Sequence, residues 1–205
     1  MLARAEDAYH AVRERAKESG RETPALAGVV EVLATLGWLE QVDIADLKAA
    51  LVNAEQGCLR DTALVPGALA VLADLRAQGV RLAVVSSAAF PPFVGWGLAR
   101  HGLARYFPVI ATSGAVGYYK SDPRLYQWAL ARLGVAPDAA VHVGDHPRFD
   151  VVGAQAAGMR AVWLDRPALD RPDPALPADC HPDAVILALA DLPAALARLS
   201  GAAAG

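Results

Sequence analysis

Residues 141–159 read VHVGDHPRFDVVGAQAAGM. An apolar run ends at Gly144, and two carboxylates follow, Asp145 and Asp150, in a G-D-x-x-x-x-D spacing ahead of a helical pattern. Paired carboxylates at the end of a buried strand suit a hard divalent cation such as Mg²⁺, which takes oxygen ligands and keeps several waters. The same pair also reads as a helix cap, Asp145, and a first-turn partner of the helix dipole, Asp150. His146 stands between Asp145 and Pro147. It is a candidate general base near neutral pH, or a plain turn residue. Ser86 and Ser87 end the apolar run RLAVVSS. A hydroxyl with the free N–H groups of the following turn can hold a phosphate oxygen, or can cap the next helix. Lys120, in VGYYKSDP, is one of only three lysines, with Lys17 and Lys48, in a chain whose positive charge is otherwise arginine. Beside a phosphate it neutralises charge; alone in a loop it is a solvated surface group. Cys58 (GCLRD) and Cys180 (CHPD) lack metal-ligand spacing and are weaker candidates for chemistry.

The elements that must position these groups change character along the chain. Residues 3–62 read as helices only. ARAEDAYHAVRERAKES stops at Gly20. TPALAGVVEVLATLG opens with Thr23 as candidate N-cap and Pro24 at the first helical position, and VDIADLKAALVNAEQGC opens with Asp43 as candidate N-cap. From LVPG onward, short apolar runs (RLAVVS, PVIATS, AAVHVG, RAVWLD, DAVILAL) alternate with helical patterns, one of them opened by Asp122 and Pro123. Strands that are apolar along their whole length imply a parallel sheet covered on both faces. Ligands bind such sheets at the carboxyl ends of the strands. Those ends carry Ser86, Ser87, Thr112, Ser113, Asp145 and Asp165. The Pro-rich stretch 165–179 reads as a rigid loop, and SGAAAG as a frayed tail.

Bulk properties narrow the class. A chain of 205 residues holds one α/β unit and a small appended one. A net charge of -3 with 20% charged residues predicts no attraction to nucleic acid or anionic membrane. No apolar run approaches the roughly 18 residues that span a bilayer. With two cysteines and no signal-peptide core, a cytoplasmic setting is expected.

Three motifs in order, a strand ending in Ser86, Lys120 ahead of DPRLY, and VGDxxxxD, resemble the haloacid dehalogenase-like hydrolase superfamily. The resemblance runs from about Leu64 to Leu199. It implies that the serine at Ser86 binds a transferring phosphoryl group, that Lys120 stabilises the anionic intermediate, and that Asp145 and Asp150 orient Mg²⁺. The preceding helices resemble the α-helical cap of one subfamily. The expected division is therefore a cap-like segment, 1–62, and an α/β core, 63–205, of three-layer Rossmann-like architecture.

One family motif is missing. The family opens on a buried central strand ending in D-x-D-x-T, whose first Asp is the nucleophile. No D-x-D occurs in these 205 residues. The resemblance places that strand between the strands RLAVVS and AAVHVG. Buried unpaired backbone groups cost roughly 1–3 kcal/mol each, so either the two flanking strands close up and pair, which is the expectation, or a segment of this chain or of a second chain fills the slot, or the chain folds poorly. A homodimer, with ARAEDAYHAVRERAKES contributing, is expected to cover the apolar surface this displaces. The expected function is a truncated hydrolase of phosphate mono-, di- or triesters that lacks the usual aspartate nucleophile and binds Mg²⁺ weakly. Asp145, His146 and Lys120 are its candidate catalytic residues, and Ser86, Ser87 and Lys120 its phosphate ligands. The alternative is an inactive remnant or fragment acting as a binding or structural protein.

Overall fold

The computed structural model describes residues 2–166 and 180–202. Most of the Pro-rich stretch, and the last residues of the tail, lie outside them. The chain opens with α1 (Leu2–Ser19), α2 (Ala25–Thr35) and α3 (Ile44–Cys58). Strands and helices then alternate. They are α4 (Ala68–Ala77), β1 (Ala83–Ser86), α5 (Pro92–Arg100), β2 (Val109–Thr112), α6 (Ser113–Val116), α7 (Pro123–Leu133) and β3 (Val141–Gly144). A π-helical turn, Pro147–Val152, runs into α8 (Gly153–Ala156), followed by β4 (Arg160–Leu164), β5 (Ala184–Ile186) and α9 (Leu192–Ala202). No described helix is long and apolar enough to cross a membrane.

Local signals explain most boundaries. Asp43 accepts the N–H groups of Ala45 and Asp46 and so starts α3; Asp122 accepts from Arg124 ahead of Pro123 and starts α7. Gly20, with φ +68°, ends α1 in the left-handed region that favours glycine. Thr23 does not cap α2. That helix begins at Ala25 after Pro24 with no side-chain cap, and the Thr23 N–H donates to Glu22 Oε1 at 2.8 Å.

The layers are helix, sheet and helix. Successive residues of β4 face opposite ways, as the period of a strand requires. Ala161 and Trp163 pack with Tyr126 of α7, with Ala154 of α8 and with Val151 and Ala157 on either side of it; Val162 packs with Val71 and Leu75 of α4 and Leu192 and Ala195 of α9. All strand pairs are parallel. The registers are Ala83↔Val109 to Ser86↔Thr112 for β1–β2, Val141↔Arg160 to Gly144↔Trp163 for β3–β4, and Val162↔Ala184 to Leu164↔Ile186 for β4–β5.

The expectation that β1 and β3 close up and pair is not met. The sheet layer is in two pieces, β1–β2 and β3–β4–β5, and no described residue bridges them by a ladder. The flanking helices explain this. α7 sets Leu125 and Ala129 against Ala111, Val85 and Val109, while its Tyr126 lies edge-on to His142 of β3 with ring centroids 5.1 Å apart. On the other face, Val71 and Leu75 of α4 share a cluster with Leu82, next to β1, and Val143 of β3. The same two helices straddle both pieces, so sliding β1 onto β3 would strip it from packing it already has. Every residue of β1 and β3 is half-buried, whereas Ala161 and Val162 in β4 are 0% and 1% exposed.

The helical segment meets the α/β part at several places, among them the Ala25 N–H donating to Ala89 O at 3.0 Å and the Arg100 guanidinium donating to Arg60 O at 2.7 Å. Residues 20–22 form a short antiparallel bridge with 117–119. Arg21 lies opposite Tyr118, the Tyr119 N–H donates to Gly20 O (2.9 Å), and the Glu22 N–H donates to Gly117 O (3.1 Å). The Arg13–Glu22 ion pair (2.5 Å), with the Glu22 side chain fully buried, and an Ala16–Tyr119–Phe149 cluster hold α1 against it.

Candidate active site

Asp150 is placed by the absence of a side chain. A Cβ at Gly144 would lie 2.2 Å from Asp150 Cγ, so only glycine at the end of β3 lets this carboxylate fold back over the strand. Once there, Asp150 is 4% exposed and takes three donors. Oδ1 accepts from Lys120 Nζ (2.5 Å) and His142 Nε2 (3.1 Å), and Oδ2 accepts the His146 N–H (2.9 Å). Burial alone would raise its pKa. The hydrogen bond from His142 and the Lys120 charge outweigh that and hold it below the usual carboxylate range. Burial lowers the pKa of His142, with Lys120 adding to the effect, so the ring is neutral and its Nε2–H is the donor.

The surroundings brace this group. The Tyr126 hydroxyl donates to Phe149 O at 2.6 Å and fixes the π-helical turn one residue before Asp150. Burial first, and the Asp150 charge second, push that hydroxyl's pKa up. The loop carrying Lys120 sits against Gly153, where a Cβ would lie 2.4 Å from Lys120 O.

Asp145 behaves differently from Asp150. It is exposed, and it caps nothing, because the following turn has no side-chain cap. Its carbonyl oxygen accepts the Trp163 indole N–H at 3.3 Å. His146 stacks on Phe149 with ring centroids 4.4 Å apart, and its Nδ1 is buried without a partner among the described residues. Burial lowers its pKa, against the raising effect of Asp150 and Asp145, so the imidazole is neutral at pH 7.

Ser86 ends β1 opposite Thr112. Neither it nor Ser87 caps α5, which starts at Pro92 with no side-chain cap. Ser87 Oγ is buried without a partner among the described residues, as are the hydroxyls of Thr112 and Ser113. The structure thus brings Lys120, Asp150 and His146 together, with Asp145 beside them in the chain. Ser86 and Ser87 lie across the break in the sheet, with no hydrogen bond to that group.

Sequence reasoning passed over His142. Its signal was a polar residue inside an apolar strand, two before Gly144 and therefore on the face that Asp150 covers.

The residues present do not form a complete Mg²⁺ site. No three His, Cys, Asp or Glu side chains among the described residues come together to hold a metal. Asp150 already takes three donors, which leaves Asp145 as the open carboxylate of the pair.

Comparison with known proteins adds a second line of observation. The sequence profile of the haloacid dehalogenase-like hydrolases matches residues 2–158. The phosphoserine phosphatase of Thermus thermophilus is 47% identical over 103 residues, which are 50% of this chain and 41% of that protein. The glyceraldehyde 3-phosphate phosphatase of Methanothermobacter thermautotrophicus is 35% identical over 101 residues, 49% of this chain and 44% of that one. The chain thus spans less than half the length of these two curated relatives. The 2-haloacid dehalogenase of Pseudomonas syringae pv. tomato superposes with a TM-score of 0.70 at 30% identity, covering 97% of this chain and 81% of that one. With helix, parallel strands and lysine–aspartate pair arranged as described, and a profile match over most of its length, the chain belongs to the haloacid dehalogenase-like hydrolases.

Proposed function

We propose that this chain hydrolyses small phosphate esters at the carboxyl ends of β1 and β3. The observation that carries the reading is Lys120, whose ammonium is held beside the end of β3 by a buried carboxylate seated over Gly144. An ammonium fixed at a strand end opposes the charge of a phosphoryl group without having to reorganise. The phosphatase names of the two relatives support the substrate class. Ser86 and Ser87 supply hydroxyls to the phosphoryl oxygens from the other side of the break. Asp150 acts as the counter-ion that positions Lys120. Asp145, the exposed carboxylate, and His146, a neutral imidazole, are the groups available to attack or to take a proton from water. Mg²⁺ enters through Asp145 alone, which predicts weak binding.

The test is a hydrolysis screen of the purified chain on phosphate mono-, di- and triesters, with Mg²⁺ or with EDTA. Asp145→Ala, His146→Ala and Lys120→Met are run beside it. Turnover that Lys120→Met abolishes supports the reading. Turnover indifferent to all three substitutions refutes the site, and no turnover on any ester favours a binding or structural role. A homodimer belongs to the same reading, supported by Leu2 and Tyr9, 80% and 41% exposed on α1. A monomer by light scattering would remove it.

A further inference from the structure

We infer that Glu22 is a positioning residue for the hydrolysis proposed above: it stiffens the α1–α2 linker into a strut that sets the span between the serines at the end of β1 and the Lys120 ammonium. The inference rests on that reading of the site and extends it to a residue that touches no substrate.

The linker, residues 20–25, is bonded at one end to the loop that carries Lys120 and at the other to the loop that follows Ser87. At the first end the Tyr119 N–H, one residue before Lys120, donates to Gly20 O (2.9 Å), and the Glu22 N–H donates to Gly117 O (3.1 Å). At the second end the Ala25 N–H donates to Ala89 O (3.0 Å). The first N–H groups of a helix have no partner inside it, and no side chain caps α2. A carbonyl of the serine loop takes that place at Ala25. The neighbouring Ala88 O accepts the Gly114 N–H (3.0 Å), and a Cβ on Gly114 would lie 2.3 Å from Ala89 O, so α6 closes the other side of the serine loop. Glu22 and Ala25 stand three residues apart, which holds the two attachments within about 11 Å of each other.

Glu22 keeps this short piece of chain in one shape. Its side chain is fully buried. Oε1 accepts the Thr23 N–H (2.8 Å), the next step of the linker, and the two carboxylate oxygens take both terminal nitrogens of Arg13 at 2.5 and 3.3 Å. Arg13 in turn lies over the Tyr119 ring, 5.4 Å from its centroid. Pro24 holds φ at −54° ahead of α2. A buried ion pair adds little net stability over apolar residues of the same volume, and its best-attested use is to select one register. Here the pair sits between the two loops that supply the serines and the lysine. A misplacement of about 1 Å in such groups costs up to about 100-fold in rate.

The test uses the full chain and two probes: inorganic phosphate, its Kd read by NMR titration, and the phosphate ester that the chain turns over fastest. Glu22→Ala unties Thr23 and Arg13. Ala25→Pro removes the N–H held by Ala89 O, at a first helical position where proline fits. Glu22→Gln keeps an acceptor for the Thr23 N–H. Val32→Ala, a buried residue of α2 away from these bonds, is the control for lost stability. Assayed well below every melting temperature, Glu22→Ala and Ala25→Pro should each lower kcat/KM and weaken phosphate binding by about tenfold or more, and Glu22→Gln and Val32→Ala by less than about threefold. Combined with Ser87→Ala, the extra loss from Glu22→Ala should shrink to about threefold or less, as for two groups acting as one unit. If Glu22→Ala does not fold, Ala25→Pro is read in its place. Three results overturn the inference: Glu22→Ala within about twofold of the parent, a Val32→Ala loss as large as that of Glu22→Ala, or an extra loss that Ser87→Ala does not shrink. With turnover in the parent, each of these leaves the hydrolysis reading standing. A parent that binds phosphate and turns over no ester refutes that reading instead, and the phosphate Kd then decides Glu22 by the same three criteria. A parent that does neither overturns both.

Discussion

Replacing Lys120 with Met removes the ammonium from Asp150 and keeps most of the side-chain volume. The carboxylate is 4% exposed and the lysine side chain 15%. Breaking a buried ion pair by deleting one partner costs about 3–5 kcal/mol, because the other charge stays buried without compensation. Here Asp150 keeps two donors, His142 Nε2 and the His146 N–H, and Lys120 is not fully buried, so the expected cost falls at or below the bottom of that range, about 2–3 kcal/mol. At about 2–4 °C per kcal/mol for a chain of this size, the melting temperature at pH 7 falls by about 4–12 °C. The double substitution Lys120→Met with Asp150→Asn removes both charges and should recover most of that loss. The sign of the pH effect is fixed. Asp150 has a lowered pKa in the folded state, so its contribution is present above the unfolded value of about 3.9 and is lost as pH falls toward the folded value. In the Met variant the carboxylate protonates more readily, so the gap between variant and parent should hold from pH 7 to about pH 4 and narrow only at lower pH. Urea unfolding at pH 7 and pH 4 measures both. A Met variant within about 0.5 kcal/mol of the parent at pH 7, or a gap already lost at pH 4, refutes the coupling.

Other substitutions probe the same architecture. Gly144→Ala should cost about 3 kcal/mol in chemical denaturation, since even Asp150 Cβ would lie 2.5 Å from the new atom. Gly57→Ala, in α3 with nothing within 4 Å, should instead stabilise by about 0.5–1 kcal/mol. Tyr126→Phe loses the bond to Phe149 O and strands a buried carbonyl, at about 1–3 kcal/mol by thermal melting. His142 has a lowered pKa, so its contribution is present above about pH 6.5 and is lost as pH falls through the folded value. His142→Gln should therefore flatten the stability–pH curve just below pH 6.5.

Much of this arrangement was legible in the residues, for local reasons. Asp43 and Asp122 cap helices because each is a short acceptor directly before a helical run, and Pro123 confirms the second. The strands VIAT and VHVG are visible as short apolar runs with small polar residues after them. Thr23 misled because α2 starts one residue later than expected, at Ala25, which puts Pro24 and not Thr23 at the cap position. The break in the sheet was misread for another reason. Unpaired edges argue for closure, but the packing of α4 and α7 across both pieces decides the spacing, and that packing is non-local. Spacing also made Asp145 and Asp150 look equivalent. Their difference depends on Gly144 and on a lysine 30 residues away.

The bridge between residues 20–22 and 117–119 makes the helical segment and Lys120 parts of one lever. Two residues separate Gly117 from the lysine, and the Ser121 hydroxyl next to it donates to Lys17 O near the C-terminal end of α1. A swing of α1 would therefore be carried through these bonds to the loop that holds the Lys120 charge. The outer face of α1 is in that mechanical sense a handle on the buried carboxylate of Asp150.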